Sequence, residues 1–271
     1  MPLDGARVVV TGASRGIGAA VAEHFARAGA RVLGVARTRE ALEEVSRRTG
    51  GEHLVADLTD PDEVDTLVER CLERLGHIDV WVNNAGIETD DAFVRVERAG
   101  LRRLARLDFE VPVLLTRDVV PHMLERGRGR VVQMSSIAGV VPYPGLTAYA
   151  GAKAGLRNFT ESLRLELKGS GVGLTVVSPG PVATAMWDRV DAPDAWAGPA
   201  LRRFRRLAYL PVVPVDTVAR KTVRAVRRGQ PRVRVPRRYL PFHLLAEAPG
   251  AIVRATLTGV RLPRVEPLSD A

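Results

Sequence analysis

Two polar side chains in the middle of the chain have the types and spacing of an acid/base site. Tyr149 and Lys153 are four residues apart, and on a helix this spacing places both side chains on one face. A nearby ammonium group stabilises a phenolate, so we expect the pKa of Tyr149 to lie well below its usual value of about 10. Such a phenol could exchange a proton with a carbonyl group near neutral pH. A Tyr-x3-Lys pair alone is weak evidence, because such side chains often only cover a helix surface.

A serine joins this pair from the end of a predicted strand. Ser136 ends the run VVQMSS, thirteen residues before Tyr149. The carboxyl ends of parallel strands meet at one edge of a sheet, where ligands bind. The sequence therefore predicts a catalytic set of Ser136, Tyr149 and Lys153.

A glycine-rich turn near the N-terminus could hold a phosphate group. The run TGASRGIG at 11–18 directly follows one predicted strand and opens a predicted helix. Glycine allows close backbone approach, and a helix N-terminus presents free N–H groups to a pyrophosphate. Glycines also serve ordinary tight turns, and the spacing is G-x3-G-x-G rather than the commoner G-x-G-x2-G. The predicted cofactor-binding residues of this turn are Gly12, Ser14, Arg15, Gly16, Ile17 and Gly18.

The end of the second predicted strand indicates which dinucleotide fits. An NAD site would offer an acidic side chain to the ribose 2′-hydroxyl there, but the run GVARTR contains none. Arg37, together with Arg15, could instead pair with a 2′-phosphate. The sequence therefore predicts NADP(H) as the cofactor. The alternative is that Arg37 and Arg39 are solvated residues at the start of a helix.

Asp57 and Leu58, at the end of the third predicted strand, complete this side of the predicted cofactor site. The Asp57 carboxylate could accept a hydrogen bond from the adenine amino group. A strand-end aspartate also commonly caps the next helix, so the two readings stay open.

The order of predicted elements is that of a doubly wound α/β domain. Nearly all-apolar strands that alternate with amphipathic helices indicate a parallel sheet covered on both faces. The predicted strands are ARVVVTG, RVLGVA, HLVAD, DVWVNNAG, RVVQMSS, GLTVVSPG and RVRV, and the predicted helices lie near 17–28, 39–49, 61–75, 100–126, 148–168 and 215–228. We expect about seven strands in a single domain over residues 1–235.

The periodicity is lost after the sixth predicted strand. We predict a helical lid over residues 185–214 that faces the substrate, because an insertion at this edge of the sheet would cover a bound ligand. The region contains four aromatic side chains, at Trp187, Trp196, Phe204 and Tyr209. They favour an apolar substrate, although aromatic side chains also serve in packing.

Composition limits the class of protein. The 271 residues are 46% hydrophobic and 26% charged, as in ordinary globular proteins. The lone Cys71 excludes an internal disulfide and is predicted to lie in the core, and the five histidines have no metal-ligand spacing, so no metal is expected. No secretory leader or membrane-spanning run is recognisable, which predicts a cytoplasmic protein.

The net charge of +9 is concentrated at the C-terminal end. Residues 201–271 carry 16 basic and 4 acidic side chains, whereas residues 1–200 carry 24 and 27. The predicted C-terminal extension, residues 236–271, is basic and partly apolar, and Pro241, Glu247 and Pro249 interrupt it. It could lie on an anionic membrane surface as a peripheral contact, or pack against a substrate cleft, which we favour. No nucleic-acid partner is expected, since no recognised motif accompanies the arginines.

Taken together, five motifs resemble the short-chain dehydrogenase/reductase family in order and spacing over roughly residues 5–235. They are TGASRGIG, NNAG at 83–86, SS at 135–136, YAGAK at 149–153 and SPGPVAT at 178–184. The resemblance implies a Rossmann-type fold and an oxidoreductase that interconverts a carbonyl and an alcohol. It also implies that Ser136 polarises the substrate oxygen, that Tyr149 transfers the proton, and that Lys153 lowers the Tyr149 pKa while holding the nicotinamide ribose.

The resemblance further implies the remaining cofactor contacts and an assembly. Asn84, Ala85 and Gly86 would flank the adenosine side, and the nicotinamide side would meet Pro179, Gly180, Val182 and Thr184. Family members often pair through helices that here begin near Leu101 and Tyr149, so we expect a homodimer or homotetramer.

One position departs from the family pattern. Many members carry an asparagine in the long fourth helix that supports a water-linked proton relay to the lysine, and the run DFEVP puts Asp108 there. A carboxylate accepts hydrogen bonds but cannot donate through an amide. We therefore predict a catalytic contribution from Asp108 through a modified relay.

A second class of function is an NADP-binding regulatory or scaffold protein with a membrane-associating tail. The presence of Ser136, Tyr149 and Lys153 together favours an enzyme instead, because a protein that only binds the dinucleotide has no use for an acid/base set.

Overall fold

The computed structural model describes residues 1–89, 91–190, 211–242 and 244–246, together with positions 196, 198 and 203. Within this part of the chain, seven strands form one sheet in which all neighbours are parallel. The strands are Arg7–Thr11 (β1), Arg31–Ala36 (β2), Glu52–Val55 (β3), Val80–Asn83 (β4), Gly129–Met134 (β5), Val172–Pro179 (β6) and Arg232–Val235 (β7). Their spatial order is β3-β2-β1-β4-β5-β6-β7. The predicted α/β doubly wound fold is confirmed.

Helices connect these strands and cover both faces of the sheet. They are Gly16–Arg27 (α1), Arg39–Thr49 (α2), Pro61–Asp65 (α3), Leu67–Leu75 (α4), Arg98–Ala105 (α5), Val111–Glu125 (α6), Thr147–Glu166 (α7), Ala185–Val190 (α8) and Val215–Arg228 (α9). The order of strands reverses between β1 and β4, and a doubly wound sheet forms its ligand crevice at such a point.

The core has two layers because alternate residues of a strand point to opposite faces. Val8 and Val10 of β1 pack with Phe25 of α1 on one face of the sheet. Val9, between them, belongs to the layer on the other face, which includes Met123 of α6. Cys71 lies buried in that second layer, as predicted.

The predicted helix near 61–75 is wrong in one respect, because Thr66 divides it into α3 and α4. The Thr66 hydroxyl donates to the carbonyl oxygen of Asp62 at 3.1 Å. A threonine that bonds back in this way often bends a helix. The third strand also ends earlier than predicted, at Val55, so Asp57 lies in the loop that follows it.

The predicted continuous helix near 100–126 is also wrong. A five-residue π-helical stretch, Arg106–Glu110, separates α5 from α6, and the N–H of Val111 donates to the carbonyl oxygen of Arg106. Pro112 has no N–H group and cannot donate to the Asp108 carbonyl four residues earlier. The ordinary helical hydrogen-bond pattern is therefore broken where Asp108 lies. We call residues 106–110 the π segment.

Of the predicted lid over 185–214, the described residues are the two ends, 185–190 and 211–214, and positions 196, 198 and 203. Its first part forms α8, and at its other end Val213 pairs with Val182 through a parallel bridge. Trp196 is exposed, whereas Phe204 and Tyr209 lie outside the described residues. The C-terminal extension continues from β7 into a short 3-10 turn at Arg237–Tyr239, and its residues from 247 onward also lie outside the described part.

Candidate active site

A cleft of about 740 Å³ lies along the carboxyl edge of the sheet. Residues that follow each of the strands β1 to β6 line it. The cleft brings together all of the predicted site residues except Gly18, including the serine, tyrosine and lysine and the rest of the glycine turn. Parallel strands that end at one edge explain why segments distant in sequence meet here.

The glycine turn after β1 has no room for side chains. Gly12 has a φ of +65°, and a Cβ atom there would lie 2.8 Å from the Cα atom of Ala85. Gly18 does not line the cleft. A Cβ atom on Gly18 would lie 2.2 Å from the carbonyl oxygen of Gly12, so this glycine supports the turn from beneath.

The N-terminus of α1 suits a negatively charged group. No side chain caps this helix end, and its first turn contains no acidic residue. Its free N–H groups and positive dipole end, together with the glycine cradle, fit the pyrophosphate of a dinucleotide.

Asn84 holds the glycine turn in place. Its side-chain nitrogen donates to the carbonyl oxygens of Thr11 and Gly12 at 3.0 and 3.2 Å. The Thr11 hydroxyl in turn accepts hydrogen bonds from the backbone N–H groups of Asn84 and Ala85. The segment after β4 thus fixes the turn after β1, a role of Thr11 and Asn84 that sequence spacing alone did not indicate.

Two arginines lie at the adenosine end of the cleft. Arg15 and Arg37 both line it, and the Arg37 side chain is 73% exposed. Its Nη1 atom lies 3.7 Å from Oδ2 of Asp57, while Asp57 Oδ1 accepts hydrogen bonds from the N–H and hydroxyl of Thr59. Although burial opposes the charge of Asp57, these hydrogen bonds and the Arg37 charge hold its pKa below the usual value.

The opposite end of the cleft contains Ser136, Tyr149 and Lys153. The Lys153 ammonium nitrogen lies 5.6 Å from the centre of the Tyr149 ring, and Ser136 forms a hydrogen bond with Tyr149. The Ser136 hydroxyl oxygen also accepts the N–H of Ala138 at 3.1 Å, which fixes its position at the start of a 3-10 turn. A hydroxyl, a phenol and an ammonium group therefore converge on one place.

Helix α7, which carries Tyr149 and Lys153, packs tightly against the end of β5. The Ser135 hydroxyl donates to the Lys153 carbonyl oxygen at 2.9 Å. A Cβ atom on Gly139 would lie 2.7 Å from the Lys153 carbonyl carbon. These contacts set the distance between the serine and the two side chains of the helix.

Asp108 makes a buried ion pair with Lys153. The Oδ1 atom of Asp108 lies 2.8 Å from Nζ of Lys153, with side-chain exposures of 0% and 6%. The second oxygen, Oδ2, accepts the N–H of Ile87 at 2.9 Å. Lys153 also donates to the carbonyl oxygen of Met134 at 3.1 Å. Although burial disfavours the ammonium form, the Asp108 carboxylate holds the pKa of Lys153 above its usual value.

Lys153 lowers the pKa of Tyr149 as predicted, but the expectation that this pKa lies well below its usual value is wrong for this structure. Burial of the phenol raises its pKa, and the negative charges of Asp108 and Glu88 raise it further. Together they outweigh the lowering effects of Lys153 and of the Ser136 hydrogen bond. The spacing of Tyr149 and Lys153 could not reveal this, because Asp108 comes from a separate element.

Two further polar side chains of the cleft were missed by sequence reasoning. Glu88 and Tyr143 both line it, and neither belongs to a recognisable motif. Burial raises the pKa of Tyr143 to about 12, so Tyr143 stays a phenol across the physiological range. Within the described residues, no group of histidine, cysteine, aspartate or glutamate side chains could hold a metal ion.

Comparison with known proteins gives a family match over the region that contains these motifs. A family model described as short chain dehydrogenase matches residues 6–195. The chain belongs to the short-chain dehydrogenase/reductase family. This short-chain dehydrogenase is accordingly an oxidoreductase that acts on CH–OH and C=O groups with a nicotinamide dinucleotide.

Similar sequences include reductases of acyl substrates. The chain is 34% identical over 188 residues to the 3-oxoacyl-[acyl-carrier-protein] reductase FabG of Escherichia coli, which covers 69% of this chain and 77% of that protein. It is 36% identical over 199 residues to the ketoacyl reductase HetN of a Nostoc species, which covers 70% and 69%.

Similar solved structures have the same fold. A short-chain dehydrogenase from Streptomyces avermitilis superposes with a TM-score of 0.76 at 30% identity and covers 94% of this chain and 95% of its own. A structure from Beutenbergia cavernae, described as a candidate NAD(P) dependent gluconate 5-dehydrogenase with NADP bound at low occupancy, also has a TM-score of 0.76 at 30% identity and covers 87% and 97%. Among the described residues, this short-chain dehydrogenase has no helix that is both long and apolar enough to cross a bilayer.

Proposed function

We propose that this protein is an NADP(H)-dependent oxidoreductase that interconverts a carbonyl and an alcohol on a largely apolar substrate. The observation that carries the proposal is a single cleft with an anion-binding helix end at one end and Ser136, Tyr149 and Lys153 at the other. A protein that only sensed the dinucleotide would need the first feature but not the second.

The proposed roles follow from the chemistry of each group. The bound dinucleotide supplies a hydride to the carbonyl carbon, or removes one from the alcohol. The Ser136 hydroxyl donates a hydrogen bond to the substrate oxygen, and in the reductive direction Tyr149 Oη gives that oxygen its proton. The Lys153 ammonium group stabilises the tyrosinate that remains. In the oxidative direction the phenolate takes the hydroxyl proton instead.

The proposed cofactor preference is for NADP(H) over NAD(H). Arg15 and Arg37 at the adenosine end supply two guanidinium groups for a 2′-phosphate, and β2 ends without an acidic side chain. The NADP carried by the Beutenbergia cavernae structure supports the same choice. In this proposal, Gly12, Ser14, Gly16 and Ile17 meet the pyrophosphate, and Asp57 and Leu58 meet the adenine.

The proposed substrate is apolar because of what lines the catalytic end of the cleft. Six large apolar side chains line the cleft beside the polar groups, namely Ile87, Leu107, Ile137, Leu146, Met186 and Trp187. Such a lining favours burial of hydrocarbon from water. The 3-oxoacyl substrates named for FabG contain a ketone on an acyl chain, which is the class of compound that this lining suits.

The same proposal includes the arrangement of the chain around the site. Residues 1–235 form the catalytic domain, with the region 185–214 as a lid, and residues 236–271 are an extension that packs near a substrate cleft. Copies associate as a homodimer or homotetramer through α5 and α7, and the protein acts in the cytoplasm.

The test is a screen of ketones and aldehydes of graded chain length, with NADPH consumption as the signal. We expect turnover to increase with apolar chain length and to disappear in the Tyr149→Phe variant. NADPH that binds tightly but is consumed with none of the compounds would favour a sensing or scaffold protein instead.

A further inference from the structure

Asp108 occupies a place in this cleft where both of its oxygens are held. One oxygen contacts the Lys153 ammonium group at 2.8 Å and the other accepts the Ile87 N–H at 2.9 Å, with no part of the side chain exposed. We propose that Asp108 is a positioning residue that neutralises Lys153, keeps Tyr149 in its phenol form, and so biases the site toward carbonyl reduction. This inference rests on the proposed function.

The backbone around Asp108 leaves space for its carboxylate group. Asp108 lies in the π segment, where Pro112 prevents the ordinary helical bond to its carbonyl. Opposite it, a Cβ atom on Gly86 would lie 2.6 Å from Asp108 Oδ1 and 3.3 Å from Lys153 Nζ. Any larger residue at 86 would therefore push the ion pair apart.

The ion pair changes the electric field at Tyr149. A lone ammonium group 5.6 Å from the ring would favour phenolate strongly in a poorly solvated site. With a carboxylate 2.8 Å from the same nitrogen, the two opposite charges act on the phenol largely as a dipole, and the field falls off faster with distance. Lys153 still contacts Asp108 and the Met134 carbonyl oxygen, but it lowers the pKa of Tyr149 by less than a lone ammonium group would.

Four groups that act on Tyr149 come from four segments of the chain. Ser136, after β5, lowers its pKa through a hydrogen bond, while Glu88, after β4, raises it by charge. Lys153 on the same helix lowers it, and Asp108 on the π segment raises it. With burial of the phenol added, the balance favours the protonated ring.

The direction of catalysis follows from this protonation state. Reduction consumes a proton from Tyr149 as the hydride reaches the carbonyl carbon, so it requires the phenol. Oxidation removes the alcohol proton, so it requires the phenolate at the start. A tyrosine that stays protonated up to alkaline pH supports reduction over the whole neutral range and restricts oxidation to alkaline solution.

The first experiment compares pH profiles of the holoenzyme in both directions for wild type and Asp108→Asn. We expect the substitution to move the alkaline limb of reduction, and the acidic limb of oxidation, to lower pH by about one unit or more. The two limbs should move together, because the same tyrosine limits both directions. Glu110→Gln is the matched control, because Glu110 ends the same π segment but is half exposed and pairs with Arg106. Its profile should match wild type.

The second experiment uses neither the Asp108→Asn variant nor enzyme turnover. Ultraviolet absorbance of tyrosinate is followed against pH in the cofactor-free wild type, and the same titration of Tyr149→Phe is subtracted. We expect the Tyr149 signal to appear only above about pH 10. A signal near neutral pH, or an active Asp108→Asn enzyme with an unshifted profile, would overturn the inference. Absence of turnover on every carbonyl compound would instead count against the proposed function.

Discussion

Two tyrosines line the same cleft, but only Tyr149 has a lysine four residues further along its helix. Tyr143 lies in the loop between β5 and α7, and burial raises its pKa to about 12. Burial raises the pKa of both phenols, and the charges of Lys153 and Asp108 act in addition on Tyr149. The spacing of Tyr149 and Lys153 is the feature that makes Tyr149 rather than Tyr143 the acid/base candidate.

The four-residue spacing of Tyr149 and Lys153 could not predict how strongly Lys153 lowers the pKa of Tyr149. Asp108 reaches Lys153 from the π segment, and the space that it occupies exists because residue 86 is a glycine. The family resemblance linked the position of Asp108 to the lysine through water, but the direct ion pair with Lys153 was not predicted. The spacing of residues within one helix does not determine the distance between that helix and another element.

Arg37 is the residue on which the proposed cofactor preference depends. We expect Arg37→Asp to weaken NADPH binding at least about tenfold more than NADH binding, because it replaces a charge-assisted hydrogen bond to a 2′-phosphate by repulsion. Dissociation constants for both dinucleotides, measured by fluorescence titration, give the ratio. Since the Arg37 side chain is 73% exposed, the fold should tolerate the change.

Arg39→Asp is the matched control for that measurement. Arg39 lies two residues further on, is 61% exposed and pairs with Glu43 on α2. The ratio of the two dissociation constants should stay at the wild-type value in this variant. An unchanged ratio in Arg37→Asp, or an equal change in both variants, would remove Arg37 from the phosphate site.

At the scale of elements, the glycine turn and the segment after β4 form one unit. Asn84 donates to two carbonyl oxygens of the turn, and the backbone at Ala85 leaves no space for a side chain on Gly12. The turn is therefore held in shape before any ligand binds. A preformed turn reduces the entropy lost on binding.

Gly18→Ala tests this unit. The added Cβ would lie 2.2 Å from the Gly12 carbonyl oxygen, so the turn must shift. We expect a lower melting temperature, from a cost of about 1–3 kcal/mol, and weaker NADPH binding. Gly100→Ala is the control, because its Cβ would meet nothing closer than 3.8 Å in the middle of α5 and alanine favours helix. Equal melting temperatures and NADPH affinities in the two variants would argue against a rigid turn.

The elements differ in how well the sequence predicts them. Nearly all-apolar strands such as β1 and amphipathic helices such as α2 were predicted to within a residue or two, because burial on a fixed period determines them. The interruption of the long helix at the π segment was not predicted. It depends on the missing N–H at Pro112 and on the contacts that the buried Asp108 carboxylate makes with Lys153 and Ile87.

At the scale of the whole molecule, the two edges of the sheet carry different groups. The carboxyl edge holds the cleft, and a charge cluster lies at the amino edge around Asp79, just before β4. Asp79 accepts the N–H of Arg7 at 3.0 Å and pairs with Arg126 and His77. Although burial opposes its charge, these partners hold the pKa of Asp79 below the usual value. The cluster therefore favours the folded state whenever Asp79 is ionised.

Asp79→Asn should lower stability without affecting catalysis. We expect a loss of about 1–3 kcal/mol in the free energy of unfolding at neutral pH, because the partly exposed Arg126 and the N–H of Arg7 lose a charged acceptor. A carboxyl with a depressed folded-state pKa stabilises above its unfolded-state pKa of about 4 and loses this effect as the pH falls through the folded-state value. The difference between variant and wild type should therefore shrink in acid.

Urea unfolding at neutral and acidic pH measures this difference, and steady-state kinetics at neutral pH measures kcat/KM. Asp216→Asn is the control, since Asp216 is 62% exposed and pairs with His24 and with the exposed Arg220. It should leave the urea midpoint nearly unchanged. A large change of kcat/KM in Asp79→Asn would show that the two edges are not independent.

The most direct test of the central claim is the rate of NADPH-dependent ketone reduction by wild type and by Tyr149→Phe, with NADPH affinity measured on the same samples. The phenylalanine ring keeps the shape of the site and removes only the hydroxyl that donates the proton. We predict that NADPH still binds while kcat/KM for the ketone falls at least about 100-fold. Equal rates in the two proteins would contradict the assignment of Tyr149 as the proton donor and, with it, the proposed mechanism.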